Sequence, residues 1–238
     1  MATAKTQQKI LDTFLTLMAE HSYSDVKPSM LAKAAGVKMS VLRECYPSKR
    51  ALIEAFAMRI DRAVLDEQAD DMDDQPPRDR LFDVLMTRID HLQPHKEALR
   101  SLMKAVRRDP GLAWELNPVA VRSQVWMLEA AGIDASGLRG RIIAQGVAVA
   151  FARVVDVWMD EEDEGMPRTM SALDQELDRG EGAVQMLDRA GKLTSILSSA
   201  GGMLKRKRKT SSQDWEDDEW SSPSDQARET DPNATTVH

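Results

Sequence analysis

Hydrophobic residues recur with the period of an α-helix along most of this sequence. Ile10, Phe14, Leu17 and Met18 show the spacing i, i+4, i+7 and i+8, which places them on one face of a helix. The same spacing recurs later in the chain, at residues 52–64, 81–92 and 98–106. The alternating pattern of a half-buried strand is nearly absent. The sequence therefore predicts an all-α fold.

Proline, glycine and serine mark the predicted helix ends in the first 65 residues. Pro28 suits the first turn of a second helix, and Gly36 is suited to its C-terminal end. Ser40 is a candidate N-cap for a third helix over residues 40–46, which Pro47 would end. Ser48 is the expected N-cap of a fourth helix.

Further helices are predicted beyond an acidic, proline-containing break at residues 66–80. The pattern places them at residues 81–92, 98–106, 119–131 and 138–159, with a last helix starting at Pro167. Asp109-Pro110-Gly111 is typical of a turn. In the last helix we expect Met170, Leu173 and Leu177 to face inward. The chain then divides into domains at 1–65 and 78–188, followed by a polar, charged and disordered tail at 191–238.

The segment 138–159 is apolar on nearly every side, so we expect a central helix or one shared with a partner. Gln145, Arg153 and Asp156 interrupt it, which argues against stable membrane insertion. The N-terminal residues lack the apolar stretch of a signal peptide, and Cys45 is the one cysteine. Together these features predict a cytoplasmic protein.

The charge of the chain is unevenly distributed. The net charge is −7, yet up to residue 60 Lys and Arg outnumber Asp and Glu by nine to five. Two short helices joined at Gly36 and flanked by longer ones have the layout of a helix-turn-helix, which reads double-stranded DNA through its second short helix. The predicted DNA contacts are Lys27, Ser29, Lys38, Met39, Ser40, Arg43 and Lys49. The alternative is a plain packing corner with solvated lysines.

Residues 7–65 resemble the DNA-binding domain of TetR-family transcriptional regulators. The resemblance rests on LAKAAGV at 31–37 and on the L-x-x-x-Y-P-S-K-x-A-L pattern at 42–52. It implies a cytoplasmic homodimer that binds a pseudo-palindromic operator as a repressor. It also implies a second, helical domain for dimerisation and for a small hydrophobic effector. Helices at 138–159 and 169–187 would form the dimer interface.

Several positions depart from the family pattern. Val26 and Lys27 stand where a Thr or Ser usually caps the second helix, and Met39 replaces a usual Lys or Arg. Glu44 would repel phosphate unless it accepts a hydrogen bond from cytosine. Cys45 stands where a phosphate-binding Tyr is common, and we expect it to fill a small buried space.

The distal region also resembles the coenzyme Q biosynthesis accessory proteins, which share the TetR-like fold and bind isoprenoid lipids. RLFDVLMTRIDHLQPHKEALRSL and TMSALDQEL carry this second resemblance. It implies an alternative function: a lipid-binding accessory protein of ubiquinone biosynthesis with a vestigial helix-turn-helix. Six side chains are candidates for lining an apolar cavity in either case, with ordinary core packing as the alternative: Met86, Met103, Trp126, Met127, Phe151 and Trp158.

Catalytic and metal-binding patterns are not found in the sequence. His91 and His95 lie four residues apart, but Pro94 ends the helix between them. The acidic residues 160–164 lack the glycine and alternating ligands of a calcium loop, so we expect an exposed loop. No Ser-His-Asp set or nucleotide-binding loop is present. We therefore expect no enzyme activity, no cofactor and no metal.

Overall fold

The computed structural model describes residues 3–67 and 75–182. The predicted tail at 191–238, most of the acidic break and the end of the last predicted helix lie outside these residues. The described residues form nine α-helices and no strand, which confirms the predicted all-α class. In chain order the helices are α1 (Ala4–Glu20), α2 (Pro28–Ala35), α3 (Met39–Cys45), α4 (Lys49–Asp66), α5 (Pro77–Leu92), α6 (Lys96–Arg108), α7 (Pro110–Ala130), α8 (Gly137–Met159) and α9 (residues 167–182).

The first four helices form a head around the apolar face of α1. Ile10, Phe14 and Met18 are fully buried, and α1 packs against both α2 and α4. Ser48 accepts a hydrogen bond from the N–H of Ala51 at 3.1 Å, so the predicted cap of α4 is confirmed. This core fixes the two short helices relative to each other.

The remaining helices form a body that is continuous with the head. Helix α4 packs against α5 and α7, and α7 packs along α8. Helix α6 follows a single 3-10 turn at Gln93–His95 and lies against α1. The head and the body are therefore joined where α4 packs against α5 and α7 and where α6 packs against α1.

Helix α8 has one buried and one exposed apolar face. Ala144, Val154 and Trp158 are fully buried in the core. On the opposite face Leu138, Ile142 and Val149 are 76%, 46% and 44% exposed. Among the described residues α8 is the one helix long and apolar enough to cross a membrane, and 39% of its most apolar 18-residue segment is buried in the protein. Its buried face shows that it serves as a core helix here.

Two predicted helix starts are wrong. Helix α3 begins at Met39 with Lys38 as the N-cap, two positions before the predicted Ser40 cap. Helix α7 begins at Pro110 instead of residue 119, because Asp109 caps it by accepting hydrogen bonds from the N–H groups of Gly111 and Leu112. An Asp-Pro pair is typical of a turn and also of an N-cap followed by proline at the first helical position. The helix continues through Pro118.

Two expectations about the distal region are also corrected. Met170 is 39% exposed, whereas Leu173 and Leu177 are buried as predicted. The acidic loop is not wholly exposed, since Glu161 is buried and accepts hydrogen bonds from the N–H groups of Arg168 and Thr169 at 2.9 and 3.2 Å. One carboxylate of this loop therefore satisfies the first turn of α9.

Candidate nucleic-acid interface

The turn between α2 and α3 depends on the left-handed backbone of Gly36. Its φ is 64°, and its N–H donates to the carbonyl of Lys33 at 3.2 Å. The N–H of Val37 donates to the carbonyl of Ala32 at 3.0 Å, which closes the end of α2. Glycine adopts this conformation without the steric cost that a side chain would add. The chain can thus turn directly into α3.

A cleft of about 220 Å³ runs between the start of α2, helix α3 and the start of α4. Four of the predicted DNA contacts line it: Lys27, Met39, Arg43 and Lys49. The other three, Ser29, Lys38 and Ser40, are exposed in the first turns of α2 and α3 or just before them. The structure therefore brings Lys27, Met39, Arg43 and Lys49 together along one cleft.

The start of α2 has backbone donors without a side-chain cap. Lys27 is the N-cap and makes no capping hydrogen bond, and Pro28 has no N–H. Among the described residues, no side chain accepts a hydrogen bond from the N–H groups of this first turn. A phosphate oxygen is a suitable acceptor for such groups, because the positive end of the helix dipole adds to the attraction.

Lys49 is already engaged inside the head. Its ammonium donates to the carbonyl of Tyr23 at 2.6 Å and lies 4.3 Å from the centroid of the Tyr23 ring. Burial lowers the pKa of Lys49, an effect that the carboxylate of Asp25 partly opposes. Lys49 is thus less free to reach DNA than an exposed lysine, although two of its three N–H bonds remain available.

The other unusual residues of α3 differ in their surroundings. Glu44 is exposed, so its negative charge lies on the same short helix as Arg43. Cys45 is half-buried, and burial followed by the charge of Glu44 raises the pKa of its thiol. The hydroxyl of Tyr46 donates to the carbonyl of Gln7 at 3.2 Å, which ties the end of α3 to α1.

Lys9 lies near this surface, although the sequence pattern did not predict it as a DNA contact. A Cβ built at Gly36 would lie 3.6 Å from Nζ of Lys9, so the Lys9 ammonium lies beside the turn between α2 and α3. Lys9 belongs to α1 and is separated from the turn by more than a full helix. Its position depends on how α1 packs against α2, which periodicity alone does not give.

Comparison with known proteins gives matches in structure alone. No protein-family model and no curated protein matches the sequence. A TetR transcriptional regulator from Nitrosomonas europaea aligns with a TM-score of 0.58 and 20% identity over 74% of this chain and 97% of its own. A TetR transcriptional regulator from Rhodococcus aligns with a TM-score of 0.53 and 21% identity over 74% of this chain and 96% of its own. A TetR-family regulator from Streptomyces coelicolor aligns with a TM-score of 0.51 and 18% identity over 90% of this chain and 100% of its own. The chain has the TetR-like fold.

The predicted cavity residues occupy different environments in the body of this TetR-like chain. Met127 and Trp158 are fully buried and Phe151 nearly so, while Met86 and Met103 are half-buried against the core. Trp126 is 53% exposed, which does not fit a cavity wall. Trp158 also donates from Nε1 to Oε1 of Gln93 at 2.9 Å, so it is held in place as a packed side chain.

An apolar pocket of about 440 Å³ lies elsewhere in the TetR-like body. Its walls come from α5, α7, α8 and α9, and include Leu81, Leu128, Ile143, Val147 and Leu177. Arg78, at its rim, donates hydrogen bonds to Asp174 at 2.5 Å and to Asp178 at 2.6 Å. None of the six predicted cavity residues lines this pocket. A predominantly apolar wall with a few polar groups at the rim is typical of small-molecule sites.

His91 and His95 face different partners in the TetR-like body. Nε2 of His91 donates to Oε2 of Glu67 at 2.6 Å, whereas Nε2 of His95 accepts from Nη2 of Arg59 at 3.4 Å. Within residues 3–67 and 75–182, no group of three or more His, Cys, Asp or Glu side chains is arranged to hold a metal ion.

Proposed function

We propose that this chain is a DNA-binding transcriptional regulator, a cytoplasmic repressor that acts as a homodimer and has no enzyme activity. The observation that carries the proposal is the cleft of the head, where Lys27, Met39 and Arg43 lie together beside the uncapped start of α2. Lys27 and Arg43 would contact phosphates, and the first turn of α3 would face the base edges of a major groove.

The exposed apolar face of α8 supports the homodimer in this proposal. Leu138, Ile142 and Val149 follow the spacing of one helix face, with Gly146 between the last two. A Cβ built at Gly146 meets no atom within 4 Å, so a second helix could approach closely there. A two-fold dimer would place two heads on successive half-sites of a pseudo-palindromic operator.

Modulation by a small apolar ligand is the second part of the proposal. Ile142 and Gly146 belong both to the exposed face of α8 and to the apolar pocket of about 440 Å³. A ligand in this pocket would therefore contact the dimer face and could change the separation of the two heads. Coupling of this kind is typically worth about 1–3 kcal/mol.

Binding to DNA from upstream of the chain's own gene tests the regulator directly. Fluorescence anisotropy should be measured with labelled duplex at several salt concentrations and with excess competitor DNA. We expect binding that survives the competitor DNA. The slope of the logarithm of the binding constant against the logarithm of the salt concentration should steepen by roughly 0.9 for each phosphate contact. Sequence-blind binding that is lost at physiological salt would contradict the proposal.

A lipid-binding accessory protein is the second candidate function. It is favoured by the apolar pocket, together with Met39 and Glu44 at positions where a DNA reader usually has other residues. Organic extraction of the purified protein followed by mass spectrometry tests it. A bound isoprenoid together with absent operator binding would favour this function over the regulator, and an empty pocket with tight operator binding would exclude it.

A further inference from the structure

A polar cleft of about 450 Å³ lies between the connection from α1 to α2 and the outer face of α6. One wall consists of residues at the end of α1 and in the connection, including His21, Tyr23 and Ser24, with Lys49 behind them. The facing wall is formed by α6 and the start of α7. The hydroxyl of Ser101 donates to the carbonyl of His21 at 2.9 Å and fixes the two walls at one end. The volume falls within the usual range of small-molecule sites.

Two cations on the α6 wall have no partner in the part of the chain that the structure describes. Lys104 and Arg108 make no ion pair or hydrogen bond with any residue between 3 and 67 or between 75 and 182. Their neighbour Arg107 differs, because it pairs with Asp156 of α8 and does not line the cleft. The two unpaired side chains are separated by one helical turn and therefore project from the same face of α6.

Lys49 adds a cation from the opposite wall. It is half-buried and bonds to the Tyr23 carbonyl, and the described residues place no carboxylate within ion-pair distance of it. Burial lowers its pKa, so its ammonium would gain from a nearby negative charge more than an exposed lysine would. Lys49 also lines the cleft of the head, so it belongs to both surfaces.

The carboxylates around the cleft compensate these cations only in part. Glu97 lies 3.4 Å from Nε of Arg100, and Asp109 accepts the N–H groups that start α7. Glu20 is exposed on the α1 wall. The side chains that line the cleft therefore carry four positive charges, on Lys49, Arg100, Lys104 and Arg108, and three negative charges, on Glu20, Glu97 and Asp109. The cleft thus has an excess of positive charge and three hydroxyl-bearing serines, Ser22, Ser24 and Ser101.

We infer that this cleft binds a small polyanion carrying phosphate, held by Lys104 and Arg108 on one wall and by Lys49 on the other. Charge-assisted hydrogen bonds from both walls require a ligand with several anionic oxygens, such as a phosphorylated small molecule. Because Lys49 belongs to both clefts, occupancy would also affect the DNA-facing cleft. This last step rests on the proposed function, whereas binding of the anion does not.

Isothermal titration of pyrophosphate into the full-length protein tests the site without DNA. We expect one binding site per chain. Lys104→Gln and Arg108→Gln should each weaken binding roughly tenfold, the loss expected for one charge-assisted hydrogen bond. Arg107→Gln removes a positive charge from the same helix outside the cleft and should leave the affinity unchanged. Circular dichroism checks that each variant remains helical.

The outcomes separate the site from other roles of these cations. Absence of pyrophosphate binding, or an equal loss in Arg107→Gln, would overturn the inference, because the attraction would then be absent or a general effect of charge. If Lys104→Gln and Arg108→Gln reduce only the salt slope of DNA binding, the two cations serve DNA phosphates and the inference is wrong. Pyrophosphate binding in a protein that recognises no operator would support the site and count against the regulator.

Discussion

Arg88 of α5 donates a hydrogen bond from Nη1 to Oδ1 of Asp61 of α4 in the interior of the molecule. The two residues are 6% and 7% exposed, and the hydroxyl of Ser123 of α7 donates to the same carboxylate oxygen at 2.6 Å. The guanidinium of Arg88 also lies 5.7 Å from the centroid of the Phe151 ring. The buried Asp61 carboxylate thus connects α4 directly to α5 and α7, and Arg88 extends the connection to α8.

Removing one partner of this pair should destabilise the protein strongly. Asp61→Ala leaves the Arg88 guanidinium buried without its counter-charge, which typically costs about 3–5 kcal/mol. Urea denaturation followed by circular dichroism measures the free energy of unfolding. The double variant Asp61→Leu with Arg88→Met should recover most of the loss, because well-packed apolar residues can replace a buried ion pair at little cost. A double variant as unstable as Asp61→Ala would show that the pair is not the cause.

Two glycines of α8 should respond oppositely to alanine. A Cβ at Gly140 would lie 2.0 Å from the backbone carbon of Ala135, a distance that no side-chain movement can relieve. Gly140→Ala should therefore destabilise the protein and lower its melting temperature. At Gly146 the same change meets open space, and it should raise the stability of the isolated chain by about 0.5–1 kcal/mol through helix propensity. Equal melting temperatures for the two variants would contradict the packing at Gly140.

Arg43 should contribute to DNA binding through its charge. It is exposed on α3 beside the cleft of the head, whereas Arg62 is exposed near the far end of α4. We expect Arg43→Ala to weaken DNA binding and to reduce the salt slope by roughly 0.9, the value for one lost phosphate contact. Arg62→Ala is the matched control and should leave the slope unchanged. A similar reduction in both variants would point to an effect of net charge.

His95 should make stability depend on pH under mildly acidic conditions. Burial, and then the charge of Arg59, lowers the pKa of His95 below 6.5, while Asp12 partly opposes the shift. The unfolded chain therefore binds the proton more readily, so the free energy of unfolding should fall as the pH drops from about 6.5 through the folded-state pKa. Comparing unfolding of the wild type and His95→Gln across this range isolates the effect. A constant difference between the two proteins would contradict it.

Local patterns were sufficient for most of the fold, since the roles of Gly36 and Ser48 follow from their own chemistry. The start of α7 was missed because Asp109-Pro110 has the same local appearance in a turn and in a capped helix. Contacts between residues far apart in the sequence were harder to predict, in the candidate site and in the core. The bond between Lys49 and Tyr23 joins residues 26 positions apart, and that between Asp61 and Arg88 spans 27. Such contacts depend on tertiary packing, which a hydrophobic period does not specify.

The exposed face of α8 should control the oligomeric state. Ile142 is 46% exposed in the middle of an apolar stripe, so Ile142→Glu would place a charge inside the proposed dimer interface. We expect this variant to be a monomer by light scattering after gel filtration, and to bind a full operator more weakly because one head is lost from each complex. Met58, on α4, is 63% exposed and offers a matched apolar position away from α8. If Met58→Glu also dissociates the dimer, or if Ile142→Glu remains a dimer, the interface lies elsewhere, and the apolar stripe of α8 needs a different partner.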